Sequence, residues 1–177
     1  MKVIALSGSP IKDGNTEAGI QAVLEGARAA GAETELVRLY GVDISPCDAC
    51  NACQSGSGCV IGDQASPILE RLERAEAIVF GSPVYWFAVS GPLKSLVDRT
   101  YYAAHHKQMA GKKLAVILVQ HSSGADYALG LFNCFADEQK CTMLDPVVVN
   151  TADRPGVIAG DPELLRRLRE LGRQLAS

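Results

Sequence analysis

Short β-rich runs separated by longer amphipathic stretches recur five times along this chain, and that alternation restricts its fold more than any other feature. The runs are Val3–Leu6, Glu33–Leu39, Ala77–Phe80, Leu114–Val119 and Asp145–Asn150. Helical patterns lie between them, over Thr16–Ala30, about Pro67–Arg74, from Pro92 onward, and over Asp126–Glu138. A last helix opens at Asp161-Pro162. Gly31 is a helix-terminating residue, while Pro92 and Pro162 stand where a missing N–H costs nothing. Strands alternating with helices predict an α/β domain, a parallel sheet with helices on both faces in three layers. Right-handed crossovers leave few topologies, and five strands suit the order 2-1-3-4-5. Ala77–Phe80 is wholly apolar and belongs at the centre, whereas the alternation in Glu33–Leu39 suits a sheet edge. In that order strands one and three are neighbours at the switch point, where ligands bind beyond the strand carboxyl ends. The loops after strands one, three and four should therefore carry the chemistry.

The first of these loops runs Ser7-Gly8-Ser9-Pro10-Ile11-Lys12-Asp13-Gly14-Asn15-Thr16. Hydroxyls from Ser7, Ser9 and Thr16, the Asn15 amide and the N–H groups of a starting helix make a neutral cradle for a phosphate, to which Lys12 can add charge. The spacing after Gly8 fails the G-x-G-x-x-G dinucleotide fingerprint. Gly14-Asn15-Thr16 lacks the lysine of a nucleoside-triphosphate loop. A monophosphate is favoured, against the plainer reading of a turn in which Asn15 merely caps a helix.

After strand three come Gly81-Ser82-Pro83-Val84-Tyr85-Trp86-Phe87, three consecutive aromatics that include the single tryptophan. Aromatics at a switch point suit a planar heterocycle, with backbone groups from Pro83 to Phe87 free to bond its polar edge. Packing under the next helix or in a dimer interface is the competing role, above all for Phe87.

These loops together, with Gly91-Pro92-Leu93-Lys94, resemble the NADPH-dependent FMN reductase family and its iron–sulfur flavoprotein branch. The resemblance implies a flavodoxin-like fold over residues 1–177. FMN phosphate would sit at Ser7, Ser9, Asn15 and Thr16, with Pro10, Ile11 and Lys12 in the same loop. The isoalloxazine would lie against Pro83, Val84, Tyr85, Trp86 and Phe87, and a third contact loop after strand four would be His121-Ser122-Ser123-Gly124. It also implies a homodimer or homotetramer.

Four of six cysteines crowd into a loop at about 45–63, as Cys47-x-x-Cys50-x-x-Cys53 and then Cys59. Such crowding in an intracellular chain reads as metal or redox chemistry rather than disulfide staples. The x-x spacing lets successive thiolates reach different irons of a [4Fe–4S] cluster, and the glycines and serines before Cys59 allow the loop to wrap back. A zinc site, redox-active thiols, or cysteines that bind nothing are the alternatives. Cys134, within a helix, reads as a buried small hydrophobe.

A net charge of −3 provides no field for nucleic acid or an anionic membrane. No apolar run approaches the ~20 residues that cross a bilayer, and the start is too short for a signal peptide. A cytoplasmic protein is expected. His105 and His106 read as surface or interface residues and lone His121 as structural. Asp98-Arg99 reads as a surface ion pair or interface contact. No G-x-S-x-G elbow marks a hydrolase.

Three functions stand open. In the first, FMN takes electrons from NAD(P)H and passes them to a flavin, quinone or other small acceptor, with no side-chain acid or base required. In the second, a [4Fe–4S] centre exchanges electrons between FMN and a ferredoxin-like partner. The third is a zinc- or thiol-stabilised phosphate-binding module without redox turnover.

Overall fold

The computed structural model describes residues 1–55 and 58–177. Gly56 and Ser57, part of the glycine- and serine-rich turn expected before Cys59, lie outside the described residues. The elements are β1 (Lys2–Ser7), α1 (Asn15–Ala29), β2 (Glu33–Arg38), α2 (Ser66–Arg74), β3 (Ala77–Pro83) and α3 (Gly91–Arg99). They continue as α4 (Tyr101–His106), β4 (Lys113–Gln120), α5 (Ala125–Gln139), β5 (Thr142–Met143), β6 (Val147–Asn150) and α6 (Pro162–Leu175). All strand pairings are parallel, in the order β2-β1-β3-β4-β5, with β6 also on β4.

The fifth strand, expected over Asp145–Asn150, forms over Val147–Asn150, and a further short segment, Thr142–Met143, precedes it along the same edge of β4. Thr142–Met143 pair with Lys113–Leu114, and Val147–Asn150 with Ile117–Gln120, the register advancing by one residue between them. Asp145 is thus outside the strand. Leu144 N donates to Leu114 O at 2.8 Å, and the following Pro146, with no N–H, cannot extend the ladder. One extra residue on one strand is a bulge. The short α4, which sequence patterning did not separate from α3, follows after Thr100.

Period-two alternation sends the two sides of each strand into separate cores. Ile4, Leu6, Ile78, Phe80, Val116 and Leu118 pack with α2, α3 and α5, where Phe80 meets Phe132 with centroids 5.1 Å apart. Val3, Ala5, Val79, Ala115, Ile117 and Val149 pack under α1 and α6. Full burial of each of these Val, Leu, Ile and Phe side chains contributes roughly 1.5–3 kcal/mol, so both helical layers are held firmly on the sheet. None of the helices among the described residues is long and apolar enough to cross a membrane.

Candidate cofactor cleft and cysteine site

The strand carboxyl ends open into a cleft of about 430 Å³. From the loop after β1 it is lined by Ser9, Ile11, Gly14, Asn15 and Thr16, and from the end of β3 by Pro83, Val84 and Tyr85. These seven expected residues (all but Gly14) come together as the strand order requires. Gly14 is the N-cap of α1 and provides no side-chain cap, so the first N–H groups of a 15-residue helix face the cleft beside two hydroxyls. That is an anion cradle. Ser9 Oγ accepts Ile11 N–H at 3.1 Å, which fixes the turn. Buried Glu17 accepts the Asp13 N–H at 3.3 Å and is held by Arg38, whose Nε donates at 2.9 Å. The Arg38 hydrogen bonds hold the Glu17 carboxyl below its ordinary range.

The remaining expected residues sit around this cleft rather than along its wall. Ser7 is buried at the end of β1, and its Oγ, like that of buried Ser90, has no hydrogen-bond partner among the described residues. Pro10 and Lys12 do not line the cleft, Pro10 being half-buried and Lys12 exposed. Asn15, one of the lining residues, also serves the fold: Nδ2 donates to Arg154 O at 2.7 Å and Oδ1 accepts Ile158 N–H at 3.2 Å. Ser122 and Ser123 are exposed, and Gly124 (φ 102) caps α5 against the Phe87 ring, where a Cβ would come within 2.8 Å of it.

Two walls were not foreseen. Gln120 lines the cleft and organises the loop after β4, donating to Asn150 Oδ1 at 2.6 Å and accepting Ala125 N–H at 2.7 Å. Thr151, Asp153, Arg154 and Pro155, after β6, form the far side. Their signal in sequence was a cluster of turn formers, Asn150-Thr151-Ala152-Asp153-Arg154-Pro155-Gly156, directly after a strand. His121, which the resemblance put in the contact loop after β4 and which by itself read as structural, lines the cleft with Nδ1 2.8 Å from Asp153 Oδ2.

Beyond Tyr85 the chain turns back, with Tyr85 and Ala88 exchanging both backbone hydrogen bonds at 2.9 and 3.1 Å. Trp86 (φ 48) and Phe87 (φ 65) both occupy the left-handed region, where a two-residue hairpin wants Asn or Gly. Trp86 is 92% exposed and its ring meets Phe87 edge-on, which in turn meets Tyr127. The backbone therefore carries strain of about 1–2 kcal/mol per residue in order to display aromatics at the cleft rim. Trp86→Asn is expected to raise the thermal midpoint by roughly 2–4 °C, on the usual scale for a chain of this size, while weakening flavin binding. A melt and an FMN titration of the same variant check both signs.

The four clustered cysteines line a second cleft, of about 420 Å³, with Asp98, Arg99 and Tyr101. Cys47 and Cys50 are exposed, Cys53 and Cys59 half-buried. Burial pushes the Cys53 thiol up, and neighbouring Cys59, Cys50 and Cys47 push it the same way. Cys134, expected to be buried, is exposed on α5 instead, because that helix turns its other face to Phe80. His106 Nε2 lies 3.0 Å from Cys53 O, and His105 packs edge-on to Tyr101.

The expected surface pair at Asp98-Arg99 is corrected by burial. Asp98 pairs with Lys94 at 2.6 Å on the surface, whereas Arg99 points inward, only 2% exposed, and pairs with Asp63 at 2.8 Å. Burial alone would raise the Asp63 carboxyl, but Arg99 and the N–H groups of Ser45 and Ala65 hold it below the usual range. Among the described residues no three His, Cys, Asp or Glu side chains are drawn together closely enough to hold a metal ion. The donor set, four thiols on one cleft, is nonetheless that of an iron–sulfur or zinc centre.

The sequence matches the NADPH-dependent FMN reductase family over residues 1–154, from β1 through the Thr151–Arg154 wall of the cleft. The chain belongs to that family. An iron–sulfur flavoprotein of Archaeoglobus fulgidus is 32% identical over 167 residues, 91% of this chain and 82% of the relative. Another, of Methanocaldococcus jannaschii, is 41% identical over 100 residues, 56% of this chain and 52% of the relative. The chain spans about half the length of that relative and of a Methanosarcina thermophila iron–sulfur flavoprotein. Among solved structures, a flavone reductase superposes with a TM-score of 0.78 at 19% identity, over 99% of this chain and 62% of that one. An NAD(P)H:quinone oxidoreductase of Methanothermobacter marburgensis superposes at 0.69 and 20% identity, over 100% and 98%. Both likenesses, and a flavodoxin at 0.65, establish the flavodoxin-like fold.

Proposed function

We propose that this protein is an FMN-dependent oxidoreductase that takes electrons from NAD(P)H and delivers them to a flavin, quinone or other small acceptor. The observation that carries this reading is the cleft at the strand ends, with an uncapped helix N-terminus and hydroxyls at one end and Pro83–Tyr85 at the other. The residues fit the cofactor: Ser9, Thr16 and the α1 N–H groups suit a phosphate, the apolar wall of Val84 and Tyr85 a planar ring. Bound FMN would supply the hydride- and electron-accepting ring. The chain's own part is to bind and orient it, with Gln120 holding the β4–α5 loop and Asn15 holding the 151–158 segment against α1. Rigid positioning of this kind converts binding energy into rate. A cleft open to solvent at strand ends also favours a homodimer or homotetramer in the cytoplasm, measurable by light scattering.

Stoichiometric FMN uptake and NAD(P)H oxidation by the purified protein test the proposal. Protein that takes up no FMN overturns it.

A second reading has its own observation, the four cysteines on one cleft. Cys47, Cys50, Cys53 and Cys59 would hold a [4Fe–4S] cluster that exchanges electrons with FMN and a ferredoxin-like partner. In support, the most similar relatives above carry the name iron–sulfur flavoprotein. Protein purified without oxygen is then expected to contain about four irons per chain, and Cys50→Ser to lose them together with the broad visible absorbance while retaining flavin. Flavin without iron leaves the first reading alone. Colourless protein containing zinc leaves a phosphate-binding module without redox turnover.

A further inference from the structure

Arg99 closes α3 with a side chain entirely out of water, in the floor of the cysteine cleft. A guanidinium has five N–H donors in a fixed fork, and here each has an acceptor. Nε donates to Cys59 Sγ at 2.9 Å. One terminal nitrogen serves Ser45 O at 3.1 Å and Asp63 Oδ2 at 2.8 Å. The other serves Ile61 O at 3.0 Å and Asp63 Oδ1 at 3.3 Å. One side chain therefore ties both ends of the cysteine loop to the α-helical layer.

Carbonyls and a carboxylate are what a buried structural arginine requires. A thiol sulfur is a weak acceptor and becomes a strong one only as a thiolate. Directing Nε–H at Cys59 therefore gains most when that sulfur is negative, as it is in a metal–thiolate bond. Asp63 cancels the guanidinium charge, so the cleft receives a directed N–H dipole without a net cation.

From this geometry we infer that Arg99 is the positioning residue of the cysteine centre: it fixes Cys59 in the ligand set and, through its Nε–H, sets the centre's reduction potential. The inference rests on the metal-centre reading above. Hydrogen bonds to ligand sulfur and local net charge are the levers that move such potentials. Both stabilise the reduced, more negative state and so raise the potential.

Two variants pull these levers in opposite directions. Arg99→Lys keeps one positive charge but replaces the fork with a point charge that cannot supply the N–H to sulfur while bonding Asp63 and both carbonyls. Asp63→Asn keeps that N–H but removes the counter-charge. The full chain is purified without oxygen, assayed for iron and sulfide, and titrated at fixed pH, with metal-centre and flavin midpoints followed on one sample. The expected result is a lower metal-centre midpoint in Arg99→Lys, a higher one in Asp63→Asn, and an unmoved flavin midpoint in both. A purely structural bolt would shift both variants the same way or neither, and either result overturns the inference. Should Arg99→Lys fail to fold or to load iron, Asp63→Asn decides: a higher midpoint supports the inference and an unchanged one sinks it. Wild-type protein without iron removes the metal centre itself, and the inference with it. Wild-type protein with iron keeps that reading whatever the variants do.

Discussion

Gly26→Ala is expected to lower the thermal midpoint by about 10 °C, even though alanine is the better helix former. Gly26 lies in α1 where α6 crosses it, and a Cβ there would stand 1.9 Å from Arg169 O and 2.6 Å from its carbonyl carbon. The crossing is reciprocal: a Cβ on Gly172 of α6 would stand 1.9 Å from Val23 O and 2.8 Å from Ala27 N. Backbone cannot retreat as a flexible side chain can, so the two helices must separate. Separation unpacks Val23, Leu168 and Leu171 from one of the two cores. Helix propensity returns about 1 kcal/mol. Overpacking costs about 1–3 kcal/mol and more when backbone must move, and the lost burial adds to it. A net loss of about 3 kcal/mol corresponds to roughly 6–12 °C for a chain of this size. Gly130 is the control. It lies inside α5 with nothing within 4 Å of its Cβ position, so Gly130→Ala is expected to raise the midpoint slightly. Circular-dichroism melts decide, and a Gly26→Ala protein as stable as wild type would refute the close crossing.

Ser9→Asp is expected to weaken FMN binding by about 100-fold or more while leaving riboflavin binding nearly unchanged. Ser9 is buried to 8% exposure and lines the cleft beside the α1 N-terminus. A carboxylate there can still accept the Ile11 N–H that the hydroxyl now accepts at 3.1 Å, so the turn survives. It would stand where the proposed FMN binding puts the phosphate. Losing a hydrogen bond to a charged group costs about 1.5–3 kcal/mol, and like charges brought together cost several more. Each 1.4 kcal/mol is a factor of ten. Riboflavin has no phosphate and feels neither effect. Fluorescence titrations with the two flavins check this. Equal losses for both would move the phosphate away from Ser9, and no loss for either would remove the flavin from this cleft.

Much of the cleft was legible in advance because it follows from topology. Strand order alone brings the ends of β1 and β3 side by side; loop composition pointed to Ser9, Asn15, Thr16 and the aromatic Tyr85, and the family resemblance added Ile11, Pro83 and Val84. Gln120 was hidden because it falls between the expected strand Leu114–Val119 and the contact loop expected from His121 onward, and only the structure makes it the end of β4. What it does depends on Asn150, thirty residues away, and on the turn that brings Ala125 N–H back to its side chain. Thr151 to Pro155 escaped because an edge strand in this order stands away from the switch point. In the fold the loop after β6 comes back to the N-terminus of α1, where Asn15 ties it down. Arg99 was misplaced for a similar reason. Beside Asp98 in a helical pattern it looks like half of a surface pair, since nothing local shows that Asp63 and Ser45 converge beneath it.

The sequence by itself determined the layers, the parallel sheet, its order and the gathering of four cysteines in one loop, since these depend on periodicity, turn chemistry and handedness, all local. The tertiary structure alone decided which side chains face each other across the clefts: the bulge that splits the fifth strand, the Gln120 and Asn15 clamps, the strained display of Trp86, and the five-donor grip of Arg99. All but the Trp86 turn are contacts between segments distant in the chain, where burial and backbone approach select a geometry that no local propensity encodes, and the Trp86 turn runs against its own local propensity.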